Sequence, residues 1–580
     1  MRKGSAGSCR GINRFIDYTL CGFARVAETT FVELAIRALK DGGVAHIPSG
    51  HYPANAAWFA CAVIARCKGA LRSEHPQVWG EHRLTVVGEG AYAPACASKA
   101  AAHTTTHRGV RRRRVPDRPS LKHRCSGQRS RMDSPSFPLR RADALVLFGI
   151  TGDLGESKLI PALLELCGSG RLDDVPVIGV GRSERSDEDI KDLIARAAEG
   201  VAGGVAGRKA DDFVDPSRLD VHYVSGDAAA SATFDEIADV LGDARLPVVY
   251  AALPPAVFGD AARAIASSRM SDETRFVVEK PFGTDAASAR ELHDEMTASL
   301  GSDGLLIVDH FLAKAAVENL LTVRTSNALF DRVLDRHSVD RIAIDLRERG
   351  DVAGRGSFYE QVGVIDDVVQ NHLIQLAALA LMERPANHSD EAYHDERAAT
   401  IESMRVLPDS VGLGQYHGYR NHEDVADDSN VATFCSFAMT VDSERWRHVP
   451  IEVVTGKALD ESSTSVTFEL DGPGDTSIRF GIKPDPTISI GLNILDTGAD
   501  SPPRGHHAAA LRRVDAELCG PSEHGDLGDY ATLLDDALDG SRRHFAQIDD
   551  VLAAWRLVED LSTSTRELQF YAPGSTGPGR

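Results

Sequence analysis

From Ala144 onward, short apolar runs recur at 144–148, 175–180, 219–224, 247–253, 275–280 and 304–310, and helical patterns fill most of the stretches between them. Strands alternating with helices predict a parallel sheet covered on both faces, the doubly wound arrangement of nucleotide-binding domains. From Gly363 to Glu383 the period lengthens to that of a helix, with an apolar stripe through Ile365, Val368, Val369, Leu376 and Leu379. His372 falls on that stripe, seven residues after Ile365, so it is expected to point inward. Past residue 385 the pattern turns strand-like at 433–440, 451–454, 465–470, 478–482 and 487–490, with Gly and Pro between the runs, as an antiparallel sheet requires. The expected class is α/β: a Rossmann-type doubly wound parallel sheet followed by an α+β domain with a large, mainly antiparallel sheet. The boundaries expected are 140–308 for the first domain and 309–574 for the second.

Chemistry collects where the predicted strands end. The first run breaks into Gly149-Ile-Thr151-Gly152-Asp153-Leu154-Gly155 and then opens an amphipathic helix. Glycine permits a tight turn and close approach of backbone to phosphate, and the start of the following helix favours an anion. The second run ends at Gly181-Arg182-Ser183. An enzyme that uses NAD commonly carries an acidic residue there, whereas arginine offers a planar cationic fork to a 2′-phosphate, so NADP is favoured, with Arg182 as its reader. The fourth run ends at Leu253-Pro254, the fifth at Glu279-Lys280-Pro281 and the sixth at Asp309-His310-Phe311. These are the strand ends at which an open α/β sheet holds its ligand.

Charge divides the chain sharply. Residues 1–131 carry 22 Lys and Arg against 8 Asp and Glu, which leaves 42 against 77 for residues 132–580. Six of the nine cysteines lie before residue 132, and the other three have no near neighbour in sequence, so the main body shows neither a disulfide framework nor zinc spacing. Residues 101–131 read as a disordered basic segment, open to interpretation as a nucleic-acid arm or as the end of an over-extended reading frame that starts before Met132. The second reading accounts for charge, cysteine use and complexity together, and no nucleic-acid partner is expected. No window of the chain resembles a membrane span, and the expected location is the cytoplasm. Residues 132–580 hold only seven lysines, at 158, 191, 209, 280, 314, 457 and 483. Lysines kept on so acidic a chain are expected to have specific tasks.

Several of these segments together resemble the glucose-6-phosphate dehydrogenase family. The similarity rests on Gly152-Asp-Leu with Lys158, on Glu279-Lys280-Pro281-Phe282-Gly283, on Asp309-His310-Phe311-Leu312-Ala313-Lys314, on Gln370-Asn371-His372, and on Gly456-Lys457-Ala458-Leu459, all in the family's order. The resemblance implies oxidation of glucose 6-phosphate at C1 to 6-phosphogluconolactone with hydride transfer to NADP, the entry step of the pentose phosphate pathway, in a homodimer or homotetramer. It implies His372 as general base and Asp309 as its orienting partner, with no metal. It places Lys158, Lys280, His310, Lys314, Glu348, Asp367 and Lys457 around the substrate. The cofactor would meet Gly149, Thr151, Gly152, Asp153, Leu154, Arg182, Leu253, Pro254 and Lys280.

The chain also departs from the family pattern. Phe311 stands for the usual tyrosine, Ala313 for glycine, Asp366 for a common arginine, and Glu156-Ser157 for two basic residues. Each change weakens phosphate binding or local charge balance. Two other readings share part of the signal: an NADP-dependent sugar oxidoreductase of the glucose-fructose oxidoreductase type, and a non-catalytic sugar-phosphate sensor. The first gives no reason for the Asp309-His310 and Gln370-Asn371-His372 segments, and the second gives no reason to retain a base.

Overall fold

A computed structural model of the chain describes residues 140–204, 215–387, 389–472, 474–495, 511–519, 527–562 and 567–579. The basic segment expected over residues 1–131 lies outside them. Within Asp133–Arg580, which form one compact unit, the two predicted sheets are both present.

The first sheet contains β1 (Ala144–Phe148), β2 (Val177–Gly181), β3 (Val221–Ser225), β4 (Pro247–Ala251), β5 (Arg275–Val278) and β6 (Leu305–Val308), in the spatial order 3-2-1-4-5-6. All five neighbouring pairs are parallel, with Leu145 opposite Val177 on one side of β1 and opposite Val248 on the other. Every residue of β1, β4 and β6 is buried, as strands with helices on both faces must be. The strand order reverses at β1, and the crevice there lies between the chain leaving β1 and the chain leaving β4.

The second sheet has ten strands. These are β7 (Val339–Arg347), β8 (Met404–Val406), β9 (Gly412–Tyr416), β10 (Phe434–Val441), β11 (Ile451–Gly456), β12 (Ser463–Leu470), β13 (Ser477–Lys483), β14 (Thr487–Leu495), β15 (Leu511–Cys519) and, near the C-terminus, β17 (Gln569–Tyr571). Most pairs are antiparallel, and β7–β11 and β9–β17 are parallel. Burial alternates along β7 and β10, so one face is turned to the core. The remaining strand, β16 (Phe545–Ala546), crosses back to pair antiparallel with β6. The helix Asp529–Asp539 goes with it: Leu533, Leu534 and Leu538 share a core with Leu145, Leu147 and Leu163. The chain thus completes its first sheet with residues that come after nine of the ten strands of its second, β17 alone following them.

Between the sheets runs the segment that carries His372. A helix over Gly356–Val364 bends at Gly363, continues as a wide π-helical turn over Ile365–Leu373, and ends as a regular helix, Ile374–Leu381, in which every residue is buried. The bend has φ of 57° at Gly363, a left-handed value that a β-carbon disfavours. The sequence pattern predicted one uninterrupted helix from Gly363 to Glu383. The structure differs in that the helical ladder widens over Ile365–Leu373, where Gln370, Asn371 and His372 are buried in sequence between Val369 and Leu373. At the far end, Arg324 donates to the carbonyls of Leu379 (2.9 Å) and Met382 (3.0 Å), and the indole of Trp446 donates to that of Leu381 (2.7 Å), so the buried carbonyls are satisfied.

A second buried polar contact ties the return strand in place. Arg397, on the helix Asp390–Ser403, meets Asp550, on the helix Ile548–Ser562, at 2.6 Å with both side chains fully buried, and it also donates to the carbonyl of Phe545 in β16 at 2.8 Å. Removing one partner strands a charge in a dry interior. Asp550→Ala is expected to destabilise the protein by about 3–5 kcal/mol. Chemical denaturation of the variant and the parent checks this, and a change under about 1 kcal/mol would mean that the pair is dispensable.

Candidate active site

Asp309 follows β6 directly, and Lys280 lies two residues beyond β5, so both stand at the C-terminal edge of the parallel sheet. The π-helical turn brings His372 against them. The Nδ1 of His372 lies 2.6 Å from Asp309 Oδ1, with both side chains more than nine-tenths buried. That carboxylate oxygen also accepts the backbone N–H of Phe311 at 3.0 Å. The His372 backbone N–H donates to Asn371 Oδ1 (2.7 Å), and the Asn371 amide donates to the carbonyl of Asp366 (2.9 Å), which fixes the turn from which the imidazole projects.

The electrostatics assign the proton. Burial alone would raise the Asp309 carboxyl, but the neighbouring His372 and His310 and the Phe311 N–H more than offset it and hold the group well below the usual carboxylate range. Asp309 is therefore ionised and can only accept, so the proton of His372 sits on Nδ1 and its Nε2 carries a lone pair. Burial, helped by Lys280, lowers the His372 pKa from its ordinary value in spite of Asp309, which keeps the ring neutral near pH 7. Aromatic rings wall the imidazole: Phe311 stacks on it with centroids 4.4 Å apart, and His310 meets it edge-on at 4.4 Å.

Around this pair the structure gathers most of the predicted substrate residues. Lys280 donates to the carbonyl of Asp367 at 2.7 Å and to its Oδ1 at 3.3 Å. Lys457, just after β11, pairs closely with Glu348, just after β7, and lies 3.8 Å from the other oxygen of Asp367. Burial would raise Asp367, and Lys280 and Lys457 reverse this and lower it. On the other side of His310, Lys314 pairs closely with Asp529. Lys158 is exposed in the π-helical turn Gly155–Leu159 that opens the first helix.

Two further residues join the site that sequence reasoning did not assign to it. Lys483, at the end of β13, holds its ammonium 5.5 Å from the Phe311 ring centroid, while Lys314 sits 5.2 Å from the same ring. Burial, and then Lys314, lower its pKa against the opposing carboxylates of Glu348 and Asp529, and Lys158 adds weakly, while the ammonium groups of Lys314 and Lys483 share one ring. The signal that pointed to it was the scarcity of lysine, since Lys483 is one of only seven after residue 131. Tyr530, on the helix Asp529–Asp539, stacks on His310 at 5.8 Å and shares the buried carboxyl of Glu279 with Tyr250, whose hydroxyl donates to it at 2.6 Å. Its identity as a wall of the site depends on the return of the chain to the first sheet, which no local pattern reveals.

Asp309, His310 and His372 offer ligand atoms within 4.8 Å of one another, close enough in principle for a metal ion. Burial first, then Lys280 for both rings and Lys314 for His310, lower the affinity of the two imidazoles for positive charge, an environment that favours an anion.

The glycine loop fits a dinucleotide. Gly149 has φ of 76°, and a β-carbon there would lie 2.5 Å from the carbonyl oxygen of Ala252, so the backbone leaving β1 passes against the backbone leaving β4. The turn is closed by Gly152 N–H to Gly149 O (3.0 Å), after which Glu156 N–H to Gly152 O (2.9 Å) begins the helix. The leading N–H groups of a helix have no partners within it and are donors suited to an anion. Thr151 and Leu154 are partly exposed, Gly152, Asp153 and Pro254 are exposed, and Leu253 lies beside them after β4. Arg182 is exposed at the end of β2, one strand away, where a ribose phosphate would extend.

Comparison with known proteins matches this arrangement. Residues 146–319 match the family model described as glucose-6-phosphate dehydrogenase, NAD binding domain, and residues 321–580 match the model described as glucose-6-phosphate dehydrogenase, C-terminal domain. The chain is 35% identical over 441 residues to glucose-6-phosphate 1-dehydrogenase 1 of Mycobacterium tuberculosis, covering 75% of this chain and 93% of that protein. It is 30% identical to the glucose-6-phosphate 1-dehydrogenase of Saccharomyces cerevisiae over 469 residues, 74% of this chain and 90% of that one. Among solved structures, the enzyme of Mycobacterium avium superposes with a TM-score of 0.67 at 32% identity, covering 76% of this chain and 95% of the other. A glucose-6-phosphate dehydrogenase in complex with its substrate glucose-6-phosphate superposes with a TM-score of 0.68 at 26% identity, covering 76% and 96%. With both domain models matched in order across the buried pair and its glycine loop, the chain belongs to the glucose-6-phosphate dehydrogenase family.

Proposed function

We propose that this chain oxidises glucose 6-phosphate at C1 to 6-phosphoglucono-1,5-lactone, with His372 removing the proton of the C1 hydroxyl. The observation that carries the assignment of roles is the buried 2.6 Å contact between His372 and Asp309. It leaves Nε2 as the basic atom, and it places a fixed negative charge where the imidazolium will form. Bound NADP+ supplies the acceptor for the hydride that leaves C1. Gly149, Thr151, Gly152, Asp153, Leu154, Leu253, Pro254 and Lys280 would hold it, and Arg182 would take its 2′-phosphate.

The substrate's two ends call for different partners. Its phosphate dianion suits the neutral His310 as a donor together with Lys314, Lys158 and Lys483, and it would relieve the repulsion among the three ammonium groups. Lys483 supplies there a donor in place of the hydroxyl that Phe311 lacks. Its sugar hydroxyls suit Glu348, Asp367, Lys280 and Lys457, which are charge-balanced among themselves before substrate arrives. A sensor has no use for an ionised carboxylate behind a neutral imidazole, and the pair therefore supports turnover.

Further readings concern the whole molecule. A division of labour between residues 140–308 and 309–574, as cofactor-binding and mainly substrate-binding parts, is supported by the glycine loop in the first and by Lys314, Lys457 and Lys483 in the second. Leu492, Ile494 and Leu518 stand exposed on β14 and β15, which supports pairing with a second copy into a homodimer or a tetramer. Among the described residues no helix is long and apolar enough to cross a membrane. A cytoplasmic location is supported by the relative named as the cytoplasmic isoform of Solanum tuberosum.

NADPH absorbance on addition of glucose 6-phosphate and NADP+ tests the reaction, and no absorbance change at any salt concentration would overturn it. His372→Asn is expected to lower kcat by about 10²–10⁴-fold with little change in the KM for glucose 6-phosphate. The acid limb of kcat/KM should fall below pH 6.5, because the ring must be neutral to accept a proton and burial lowers its pKa. Asp309→Asn should slow turnover and move that limb to still lower pH, since the carboxylate is what favours the charged ring; movement to higher pH would contradict the pairing. Lys483→Ala is expected to raise the KM for glucose 6-phosphate about tenfold while leaving that for NADP+ unchanged. Initial-rate kinetics decide, and an unchanged KM would remove Lys483 from the phosphate subsite.

A further inference from the structure

Tyr359 lies on the helix Gly356–Val364, one bend before the turn that carries Asp367 and His372. It is 2% exposed, and its hydroxyl is buried without a hydrogen-bond partner. A buried hydroxyl in that state costs stability, so its retention asks for a use. The ring is held by Tyr419, edge-on at 6.1 Å, and the ammonium of Lys457 stands 5.8 Å from its centroid. Burial, followed by the Asp367 carboxylate and more weakly by Glu348, pushes the phenol well above its usual range. The hydroxyl is therefore a neutral donor, and the ammonium beside its ring, that of Lys457, is the one that also reaches Glu348 and Asp367.

Both carboxylates are already engaged. Lys280 binds Asp367 from one side, and Lys457 lies between Asp367 and Glu348. A bound sugar phosphate competes for those same ammonium groups. Glu348 is 38% exposed and can turn to water, whereas the side chain of Asp367 is only 10% exposed and has no such recourse. We propose that Tyr359 is a positioning residue of the sugar subsite, its hydroxyl donating to the Asp367 carboxylate when substrate draws Lys280 and Lys457 away, so that Asp367 stays directed at the sugar hydroxyls. This rests on the reading of Asp367 as a holder of those hydroxyls. The donor is idle in the free protein and engaged in the complex, which converts its cost into preference for the bound state.

Kinetics of the full chain test the idea. Tyr359→Phe is expected to raise the KM for glucose 6-phosphate about tenfold, the scale of one hydrogen bond to a charged group. The kcat should stay within about twofold, the KM for NADP+ should not change, and the melting temperature should be no lower, since the lost hydroxyl had no partner in the free state. In an Asp367→Asn background the same substitution should add less than it does in the parent, since the neutral amide oxygen accepts more weakly than the carboxylate. An unchanged KM in Tyr359→Phe alongside a raised KM in Asp367→Asn would overturn the role of Tyr359 while leaving the subsite intact. Fully multiplicative effects in the double variant would overturn the coupling. An unchanged KM in Asp367→Asn would overturn the subsite reading, and the proposal with it.

Discussion

A carboxylate and an imidazole 2.6 Å apart in a dry interior constrain nearly everything around them. Neither can be placed there alone: an unpaired buried carboxylate would be raised until it took up a proton, and an unoriented imidazole would present either nitrogen. The backbone N–H of Phe311 anchors the acid, Asn371 anchors the turn that bears the base, and Phe311 and His310 wall the ring. The acid comes from the end of β6 and the base from a helix between the two sheets. The contact therefore exists only when both layers are assembled, which makes the site a property of the whole fold.

Charge balance is the second constraint. The site needs cations for a phosphate, yet ammonium groups gathered in an enclosed space repel one another. Each of Lys280, Lys314 and Lys457 is accompanied by an acid, namely Asp367, Asp529 and Glu348, so the cluster is close to neutral before substrate arrives. On the reading proposed above, substrate exchanges one set of ion pairs for another instead of creating charge contacts from nothing. Such exchange spares the cost of desolvating isolated ions and places selectivity in geometry.

The sequence made the parallel sheet legible because its strands are buried on both faces and leave uninterrupted apolar runs: all six fall within two or three residues of their predicted places. The later sheet was read less completely. The strands β10 to β14 were recognised from alternation, while β7, β8, β9, β15 and β17 were not: β7 and β15 carry several charged residues, β9 carries two glycines, and β8 and β17 are only three residues long. Asp309, His372 and the lysines were legible as motifs, since their spacing is local. The roles of Tyr530 and Lys483 were not, because they arise from contacts between segments hundreds of residues apart. The inward direction of His372 was predicted from helical periodicity, yet the π-helical turn that aims it was invisible to a period of 3.6.

The short strand Phe545–Ala546 that borders β6 has a bearing on how the molecule is made. A ribosome releases the strands β1 to β6 first, but the sheet they form keeps an open border and a bare patch of leucines until residues 529–546 have emerged, after nine of the ten strands of the second sheet, all but β17, have been synthesised. The parallel sheet, first of the two in order of translation, is thus among the last parts to be finished. For as long as the nascent chain lacks its closing segment, its exposed β6 border is a place where another chain can attach.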